Sequence, residues 1–356
     1  MLMSQAHINQ IGAVHPPHDV HGPFLEFISR GLPDSRQRNL FDRMARRSGI
    51  EHRYSVLHRD GMVEADAPDD GFYRRSAFPT TGERMRAYTQ YAPPLAERAV
   101  KKLDLQGREK DITHLIVASC TGFVAPGLDQ IVARQLGLRP DLQRTLVGFM
   151  GCSAAVPALR VAQATVLADP AARVLVINLE LCTLHMQETE DVEIALSFML
   201  FGDGCTAALV TAEPKGFALG DFRTTLIEGT EGHITWHIGD QGFIMHLSGK
   251  VPGKIAEALR EAPDFILRNE GTQAVDLWAV HGGGRSVLDA VQTGLSLPDE
   301  ALEQSRAILA KHGNMSSATI MFVLAKMLET ASAGQRGLAM AFGPGMVAET
   351  FRFSAA

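Results

Sequence analysis

In this 356-residue sequence, Cys152 is a candidate catalytic residue because of both its type and its position. It stands at the turn of "GFMGCSAAVPALRVA", residues 148–162, between an apolar strand and an apolar helical run. Unpaired N–H groups and the macrodipole at a helix start favour a thiolate, which is the nucleophilic form of cysteine. A nearby histidine would supply the imidazolium partner of that thiolate.

His281 and Asn314 could complete such a site. His281 follows the apolar run "DLWAV" and precedes three glycines, which leave room for a ligand to approach the backbone. Asn314, in "HGNMSSA", precedes another apolar helical run. An asparagine there is commonly an N-cap, although its amide hydrogens also suit a developing oxyanion. Both roles remain open from the residues alone.

A faint internal repeat places these residues at equivalent points. "LIVASCTG", which contains Cys120, pairs with "LWAVHGGG", which contains His281, at an offset of 161. "GCSAA" pairs with "GNMSSA" at 162, from Cys152 to Asn314, and "RVLVINLE" pairs with "RGLAMAFG" at 163. Three matches at nearly one offset indicate a duplication. Functional residues of α/β units gather at strand ends and helix starts, so the repeat groups the three residues in one site.

The elements between the matched strands read as helices. Residues 128–136 form one apolar face closed by Gly137, and residues 301–311 form a second helix. Residues 153–167 and 316–328 are apolar on nearly all faces, which is typical of buried helices. Stacked halves with buried helices between them predict an α/β, duplicated, five-layered αβαβα fold. We expect a first half at residues 1–220 with the cysteine, and a second at 221–356 with the histidine and asparagine.

Composition narrows the class of protein. The length suits two domains or one duplicated domain, and 46% hydrophobic residues are ample for a core. A net charge of −6 gives no reason to expect nucleic acid as a partner. We find no secretion signal and no apolar run approaching the roughly 20 residues of a membrane span. Four cysteines without a CxxC pair predict a reduced, cytoplasmic protein without structural zinc, in which Cys182 and Cys205 are packing residues.

These segments resemble the type III polyketide synthases, the chalcone-synthase-like branch of the thiolase superfamily. "GCSAAVPALR", "VHGGGRSVLDAV" and "HGNMSSATIMFVL" are similar to the family's nucleophile, histidine and asparagine segments, and "LFGDGC" and "AFGPGM" to two further signatures. The resemblance covers residues 43 to 351 approximately and implies a thiolase-like fold. Gly282 departs from it, because the family usually has proline after the histidine.

The resemblance implies a reaction. Cys152 would attack the thioester of an acyl-CoA starter, and His281 would pair with the thiolate. Malonyl-CoA would lose carbon dioxide to give an enolate whose oxygen His281 and Asn314 hold. Iterative condensation and cyclisation would give a pyrone, resorcinol or phloroglucinol-type product. CoA thioesters are then substrates, and no cofactor, metal or obligatory acyl carrier protein is implied.

The resemblance also assigns supporting residues. Phe201 matches a gate between the CoA tunnel and the cavity, and Ala125 precedes a cis proline in a dimer-contact loop, which implies a homodimer. In a basic helix at residues 35–49, Arg43 and Arg47 match positions that grip CoA phosphates, whereas Leu40 replaces a third basic residue. Further residues expected around the cavity or substrate path are Cys120, Thr121, His185, Trp236, Met245, Gly283, Ser316, Gly343 and Pro344.

Other classes of protein fit less well. "HGGG" is similar to the oxyanion loop of lipases, but the sequence has no G-x-S-x-G elbow. "HPPHDVH" and "HITWH" contain metal-binding residue types without the HExxH pattern. Two alternatives remain open: a ketoacyl synthase III-like enzyme that performs one condensation, and a non-catalytic acyl-CoA-binding or scaffold relative.

Overall fold

The computed structural model describes residues 5–64 and 71–356. Within these ranges the chain forms fifteen strands and eleven α-helices. The strands are β1 (His7–Val14), β2 (His18–Asp19), β3 (Tyr54–Ser55), β4 (Met62–Val63), β5 (Tyr73–Arg74), β6 (His114–Ser119), β7 (Gln143–Gly148), β8 (Val174–Leu181), β9 (Asp203–Thr211), β10 (Phe217–Leu226), β11 (Ile234–Gly239), β12 (Gly242–Leu247), β13 (Leu277–Val280), β14 (Arg336–Gly343) and β15 (Val347–Ala355). The helices are α1 (His21–Gly31), α2 (Ser35–Arg47), α3 (Thr81–Val100), α4 (Leu128–Gln135), α5 (Ala155–Ala168), α6 (Val192–Phe198), α7 (Val251–Glu261), α8 (Asp264–Leu267), α9 (Arg285–Gly294), α10 (Glu303–His312) and α11 (Ser317–Thr330).

The main sheet has the same topology twice. Its order is β13-β14-β15-β10-β1-β9-β8-β6-β7. In the first half β6 is parallel to β8, which is antiparallel to β9, which is antiparallel to β1. In the second half β13, β14, β15 and β10 repeat these relations in the same order. β7, beyond β6, has no counterpart in the second half, so the first half alone ends in an additional edge strand.

The halves join through a short pairing of β1 with β10, in which His7 lies opposite Ala218 and Ile8 opposite Phe217. β10 begins the second half at Phe217, so the expected division at residues 220 and 221 falls within a strand. The division into two domains stays a prediction.

Each half of the sheet is covered on both faces. On β8, Leu175 packs in the core beneath α3, whereas its neighbour Val176 packs in the core around α5 and α11. On β14, Met340 packs in the core beneath α7 and α9, and Ala341 in the central core. Successive residues of a strand point to opposite faces, so each half is sandwiched between helical layers. The five-layered αβαβα fold is confirmed.

α5 and α11 form the central layer, as their apolar composition predicts. Pro157 lies in the first turn of α5, where its missing N–H costs no helical hydrogen bond. Of the described residues, one helical run, Gly151–Ala168, has the length and hydropathy of a membrane span, and 56% of it is buried in the fold. Core helices meet the same criteria, so this run does not by itself indicate a membrane. The cytoplasmic location stays a prediction.

Candidate active site

Cys152 lies in a short 3-10 turn, Gly151–Ser153, that leads into α5. Gly151 has a φ of +57°, and a Cβ at this position would lie 2.5 Å from Cδ of Pro344. Only glycine therefore fits there. The "FGPG" loop packs directly against the turn, since a Cβ on Gly343 would lie 2.3 Å from Oγ of Ser153. Pro344 and Gly343 thus fix the turn that presents Cys152.

Cys152 is partly buried and His281 is buried. Sγ of Cys152 lies 4.0 Å from Oδ1 of Asn314. Burial raises the pKa of the Cys152 thiol to about 11, with a smaller opposing effect of a hydrogen bond from Ser316. His281 is 2% exposed, neither ring nitrogen has a hydrogen-bond partner, and burial lowers its pKa to about 4. Burial therefore disfavours the charged form of each group taken alone, and the thiolate–imidazolium pair stays a prediction.

Asn314 has a fixed amide. Its Nδ2 donates to the carbonyl of Gly283 at 3.1 Å, and its Oδ1 accepts from the backbone N–H of Ser316 at 2.8 Å. The second contact is to the N-cap residue of α11, and no side chain caps that helix, so Asn314 is not its N-cap. One amide hydrogen on Nδ2 stays available. A Cβ built on Gly283 would lie 3.5 Å from Nε2 of His281, so the imidazole packs against Gly283. The Asn314 amide binds the carbonyl of this same residue, and both side chains therefore contact the loop at Gly283.

A buried cavity of about 30 Å³ opens beside the thiol. Its lining carries no charged side chain. The lining residues are Cys120, Thr121, Gly151, Cys152, Cys182, Phe198, Phe201, Ile234, Trp236, Met245, Ser316 and Pro344. The structure places seven predicted site residues here beside Cys152. Cys182, interpreted from the sequence as a packing residue, also lines the cavity, and sequence reasoning missed Gly151 and Ile234.

Trp236 is held firmly in the cavity wall. Its Nε1 donates to the carbonyl of Cys120 at 2.8 Å, and its ring meets the edges of His185 and Phe243 at centroid distances of 5.5 and 5.8 Å. His185 lies behind Trp236 and does not line the cavity. Its Nε2 contacts the carbonyl of Thr121 at 2.7 Å, and its Nδ1 accepts from the N–H of Phe243 at 3.0 Å.

A larger groove of about 820 Å³, here called the outer groove, lies on the other side of the segment at residues 196–201. Leu200 and Ser197 line the outer groove, whereas Phe201 and Phe198 line the cavity. This segment therefore separates the two spaces. Residues around the groove include Met44, Arg47, Ser48, Gly283, Gly284 and Arg285. Arg43 is exposed but does not line it.

A buried carboxyl that sequence reasoning missed adjoins the cavity. Glu180 accepts hydrogen bonds from the Cys120 N–H at 3.0 Å, the Thr121 hydroxyl at 2.9 Å and the Ser317 hydroxyl at 2.6 Å. Burial raises the pKa of Glu180 to about 7. The only sequence signal was its place at the end of "RVLVINLE", an otherwise apolar strand in the repeat.

Ser316 contacts two of the three cysteines that line the cavity, Cys120 and Cys152. Its φ of +47° is unusual for a residue other than glycine, and its Oγ lies 3.4 Å from Sγ of Cys120. Ser316 therefore contacts Cys120 through its hydroxyl and Asn314 through its backbone N–H. Its hydroxyl also forms the hydrogen bond that lowers the pKa of Cys152. The strained backbone at Ser316 forms a turn that brings Asn314 and Ser316 to the same side of the cavity.

The remaining predicted positions lie elsewhere. Ala125 is exposed, and its bond to Pro126 is cis. It lies outside the cavity lining of the single chain. Within residues 5–64 and 71–356 no three histidine, cysteine or acidic side chains group as metal ligands, and this includes "HPPHDVH" and "HITWH".

Comparison with known proteins gives concordant matches. The family model for chalcone and stilbene synthases, N-terminal domain, matches residues 16–214, and that for the C-terminal domain matches residues 221–355. The alpha-pyrone synthesis polyketide synthase-like protein Pks18 of Mycobacterium tuberculosis is 34% identical over 334 residues, which are 90% of this chain and 83% of that protein. PKS-I of the brown alga Ectocarpus siliculosus has a TM-score of 0.89 at 31% identity and covers 100% of both chains. CsyB complexed with CoA-SH has a TM-score of 0.84 at 25% identity, covering 99% of this chain and 100% of that chain.

Proposed function

The chain belongs to the chalcone and stilbene synthase family of type III polyketide synthases, which are acyltransferases, and from this premise we propose that Cys152 carries the growing acyl chain. The supporting observation is its sulfur in the wall of an uncharged cavity, 4.0 Å from Oδ1 of Asn314, whose Nδ2 is held by the carbonyl of Gly283 in the loop that follows His281. The proposed substrates are an acyl-CoA starter and malonyl-CoA. Decarboxylation drives the condensation, so no cofactor beyond these thioesters is needed.

Loading is a thioester exchange. His281 takes the proton of the Cys152 thiol, Sγ forms a bond to the acyl carbon, and the bond from that carbon to the CoA sulfur breaks. The departing CoA thiolate receives the proton from His281. The ring nitrogens of His281 have no hydrogen-bond partner, and this supports the role because a free lone pair of the imidazole can accept the thiol proton.

Extension follows when malonyl-CoA occupies the outer groove. Its carboxylate leaves as carbon dioxide, and the electron pair stays on the acetyl-CoA enolate. The free amide hydrogen of Asn314 and an N–H of His281 would stabilise the enolate oxygen. One such donor is typically worth about 3–4 kcal/mol. The enolate carbon then bonds to the acyl carbon on Cys152, which releases the thiolate and leaves the lengthened chain on CoA for another round.

The CoA portion fits the outer groove. Arg47 and Arg285 flank it with cationic side chains, and the groove meets the cavity at residues 200 and 201. Phosphate recognition by arginine supports the resemblance-based assignment of Arg47. Arg43 does not line the groove, so its assignment to CoA rests on the resemblance alone.

We propose that the chain closes as an α-pyrone. This ring forms when an enol oxygen of the chain attacks the acyl thioester and releases the thiol, so atoms balance without another reactant. The similarity to Pks18, the alpha-pyrone synthesis polyketide synthase-like relative at 34% identity, supports this choice. The uncharged lining supports it also, since it offers no exposed base for carbon–carbon ring closure. Mass spectrometry of products from a panel of starter CoAs tests it, and carbocyclic aromatic products would contradict it.

Intact-protein mass spectrometry tests the carrier residue. After incubation with an acyl-CoA, we expect one acyl adduct on the wild-type protein and on Cys120→Ala, and none on Cys152→Ala. Cys120→Ala is the matched control, because Cys120 lines the same cavity. An adduct that persists on Cys152→Ala and disappears from Cys120→Ala would assign the carrier role to Cys120 instead.

A further inference from the structure

Arg53 is a buried cation that the proposed chemistry does not use. It is 1% exposed. Its Nη1 donates to two backbone carbonyls, that of Phe198 at 3.0 Å and that of Phe201 at 2.9 Å. Its Nε donates to Nδ1 of His21 at 2.9 Å, and burial together with the charge of Arg53 lowers the pKa of His21 to about 4. His21 is therefore a neutral acceptor, and the guanidinium reaches across to the back of the cavity wall.

The stem of Arg53 packs between two glycines. A Cβ on Gly313 would lie 2.8 Å from Cγ of Arg53 and 2.8 Å from the carbonyl of Leu200. A Cβ on Gly202 would lie 3.6 Å from Cβ of Arg53. Gly313 also has a φ of +67°, so both backbone conformation and space require glycine. The arginine stem thus fills the space behind the strand-like segments that contain Phe201 and Asn314.

These segments are paired through their backbones. The N–H of Asn314 donates to the carbonyl of Leu200 at 2.8 Å, and the N–H of Gly202 donates to the carbonyl of Asn314 at 3.0 Å. Phe201 and Asn314 are therefore partners in an isolated parallel bridge. Phe201 belongs to the segment that separates the cavity from the outer groove, and Asn314 carries the amide near Cys152.

We propose that Arg53 is a positioning residue that clamps the Phe201 segment against the Asn314 segment, and so sets both the opening between groove and cavity and the placement of the Asn314 amide. It touches neither substrate nor the reacting atoms. A side chain anchored on the carbonyls at both ends of the 198–201 turn fixes that turn, and the backbone ladder passes the constraint to Asn314.

Arginine suits this clamp better than lysine. Its planar fork donates from Nη1 and Nε in fixed directions, so it can hold the two carbonyls and His21 together. Lysine has a single ammonium on a flexible stem and would satisfy only part of this set. Arg53→Lys therefore keeps the buried charge and most of the packing, while it loosens the geometry.

The inference rests on the proposed role of Asn314, so the experiment includes Asn314→Ala. Four enzymes are compared well below their melting temperatures: wild type, Arg53→Lys, Asn314→Ala and Arg352→Lys. Arg352 is the matched control, because it too donates to a backbone carbonyl, that of Leu267 at 2.8 Å, away from the cavity. Measured are kcat and KM for malonyl-CoA decarboxylation, the product-length distribution and the rate of Cys152 alkylation by iodoacetamide.

For Arg53→Lys we expect kcat for decarboxylation to fall by roughly 10- to 100-fold, the range that a misplacement near 1 Å produces, with KM and alkylation within about threefold of wild type. The product-length distribution should also change, whereas Arg352→Lys should match wild type. If Arg53→Lys does not fold, Arg53→Gln, which retains a shorter amide donor, takes its place in the same measurements.

The outcomes separate the two proposals. Normal decarboxylation by Asn314→Ala overturns the proposed function of Asn314 and, with it, the clamp. If Asn314→Ala loses decarboxylation but Arg53→Lys keeps the kcat and the products of wild type, the proposed role of Asn314 stands and the proposed role of Arg53 is overturned. Parallel loss of alkylation and decarboxylation in Arg53→Lys also overturns it, since that result means general disorder of the site.

Discussion

In the proposed loading step, the Cys152 thiol gives its proton to the His281 imidazole before the sulfur attacks. Burial disfavours either charge alone, which is why the pKa of Cys152 is raised and that of His281 is lowered. Transfer of the proton between them creates both charges together, and their attraction offsets part of the desolvation cost. At the residue scale we therefore expect His281 to act in loading and in extension, and Asn314, which carries no charge, to act in extension alone.

Replacing these two residues should separate the steps. His281→Ala should slow iodoacetamide alkylation of Cys152 near neutral pH and move the alkylation profile to higher pH, because the thiol loses its proton acceptor. Asn314→Ala should alkylate nearly as wild type. Carbon dioxide release from malonyl-CoA should fall by roughly 10²–10³ in Asn314→Ala, as expected for a lost oxyanion donor. Equal alkylation profiles for wild type and His281→Ala would contradict the assigned base.

Glu180 predicts a pH dependence of stability. Its pKa is raised from 4.5 to about 7 in the folded chain, so folding favours the protonated carboxyl. That contribution to the free energy of unfolding is fully present below pH 4.5 and is lost as the pH rises through about 7. Glu180→Gln, which imitates the protonated form, should lack this dependence. Between pH 5 and pH 8, urea unfolding should show wild type losing about 2–3 kcal/mol relative to the variant. A constant difference between them would contradict the raised pKa.

At the scale of elements, helix α2 presents one of its basic residues to the outer groove and leaves the others outside. We expect Arg47→Ala to raise KM for malonyl-CoA several-fold with little change in kcat, because the lost contact is made equally in ground and transition states. Arg36→Ala, at an exposed position on the same helix, is the matched control. Thioester substrates that lack the CoA nucleotide should not distinguish Arg47→Ala from wild type, and a loss with those substrates would place Arg47 outside phosphate recognition.

The hairpin of β11 and β12 supplies Trp236 to the cavity wall and so limits its size. Trp236→Ala should enlarge the cavity of about 30 Å³ and shift products towards longer starters or additional condensations. Trp236→Phe is the control, since it removes the Nε1 hydrogen bond to Cys120 and keeps most of the ring volume. Chromatography with mass spectrometry across starters of increasing length measures the shift. An unchanged product set in Trp236→Ala would mean that another wall limits the chain.

Sequence patterns predicted those elements whose signal is local. Cys152, His281 and Asn314 could be proposed because each adjoins an apolar run at a strand end or helix start, and the repeat relates them. Arg53 could not, because in "EHRYS" it is one of 34 basic residues. Its burial depends on contact with Phe198, 145 positions away. The Cys182 lining role was missed for the same reason, since free cysteines pack in cores and line cavities with equal ease.

At the scale of the whole molecule, the site forms where the two halves meet. α5 and α11 share the central layer, and the turns that precede them carry Cys152 and Asn314. Neither half contains the site alone: the thiol comes from the first half, and the imidazole and the amide from the second. The duplication therefore places equivalent helix starts side by side, one with the proposed nucleophile and the other with the proposed oxyanion donor.

The one edge strand without a counterpart leads to a prediction about assembly. β7 ends the sheet, its first four residues are exposed, and Leu146 and Phe123 are 56% and 47% exposed beside the cis-proline loop. An edge strand with large apolar side chains is unfavourable in an isolated chain and invites pairing. We therefore expect a homodimer through this face, with a light-scattering mass twice the 38.6 kDa of one chain.

Leu146→Glu should shift the protein towards the mass of one chain, because dimerisation would bury a carboxylate. Leu226→Glu is the control: Leu226 is 74% exposed at the end of β10, away from the β7 edge, and this variant should remain dimeric. A monomeric wild type at micromolar concentration, or dissociation by Leu226→Glu and not by Leu146→Glu, would place the interface elsewhere or exclude it. A dimer contact through β7 would also cover Phe123 and the loop at Ala125. The loop that the resemblance assigns to dimer contact therefore lies next to the proposed interface strand.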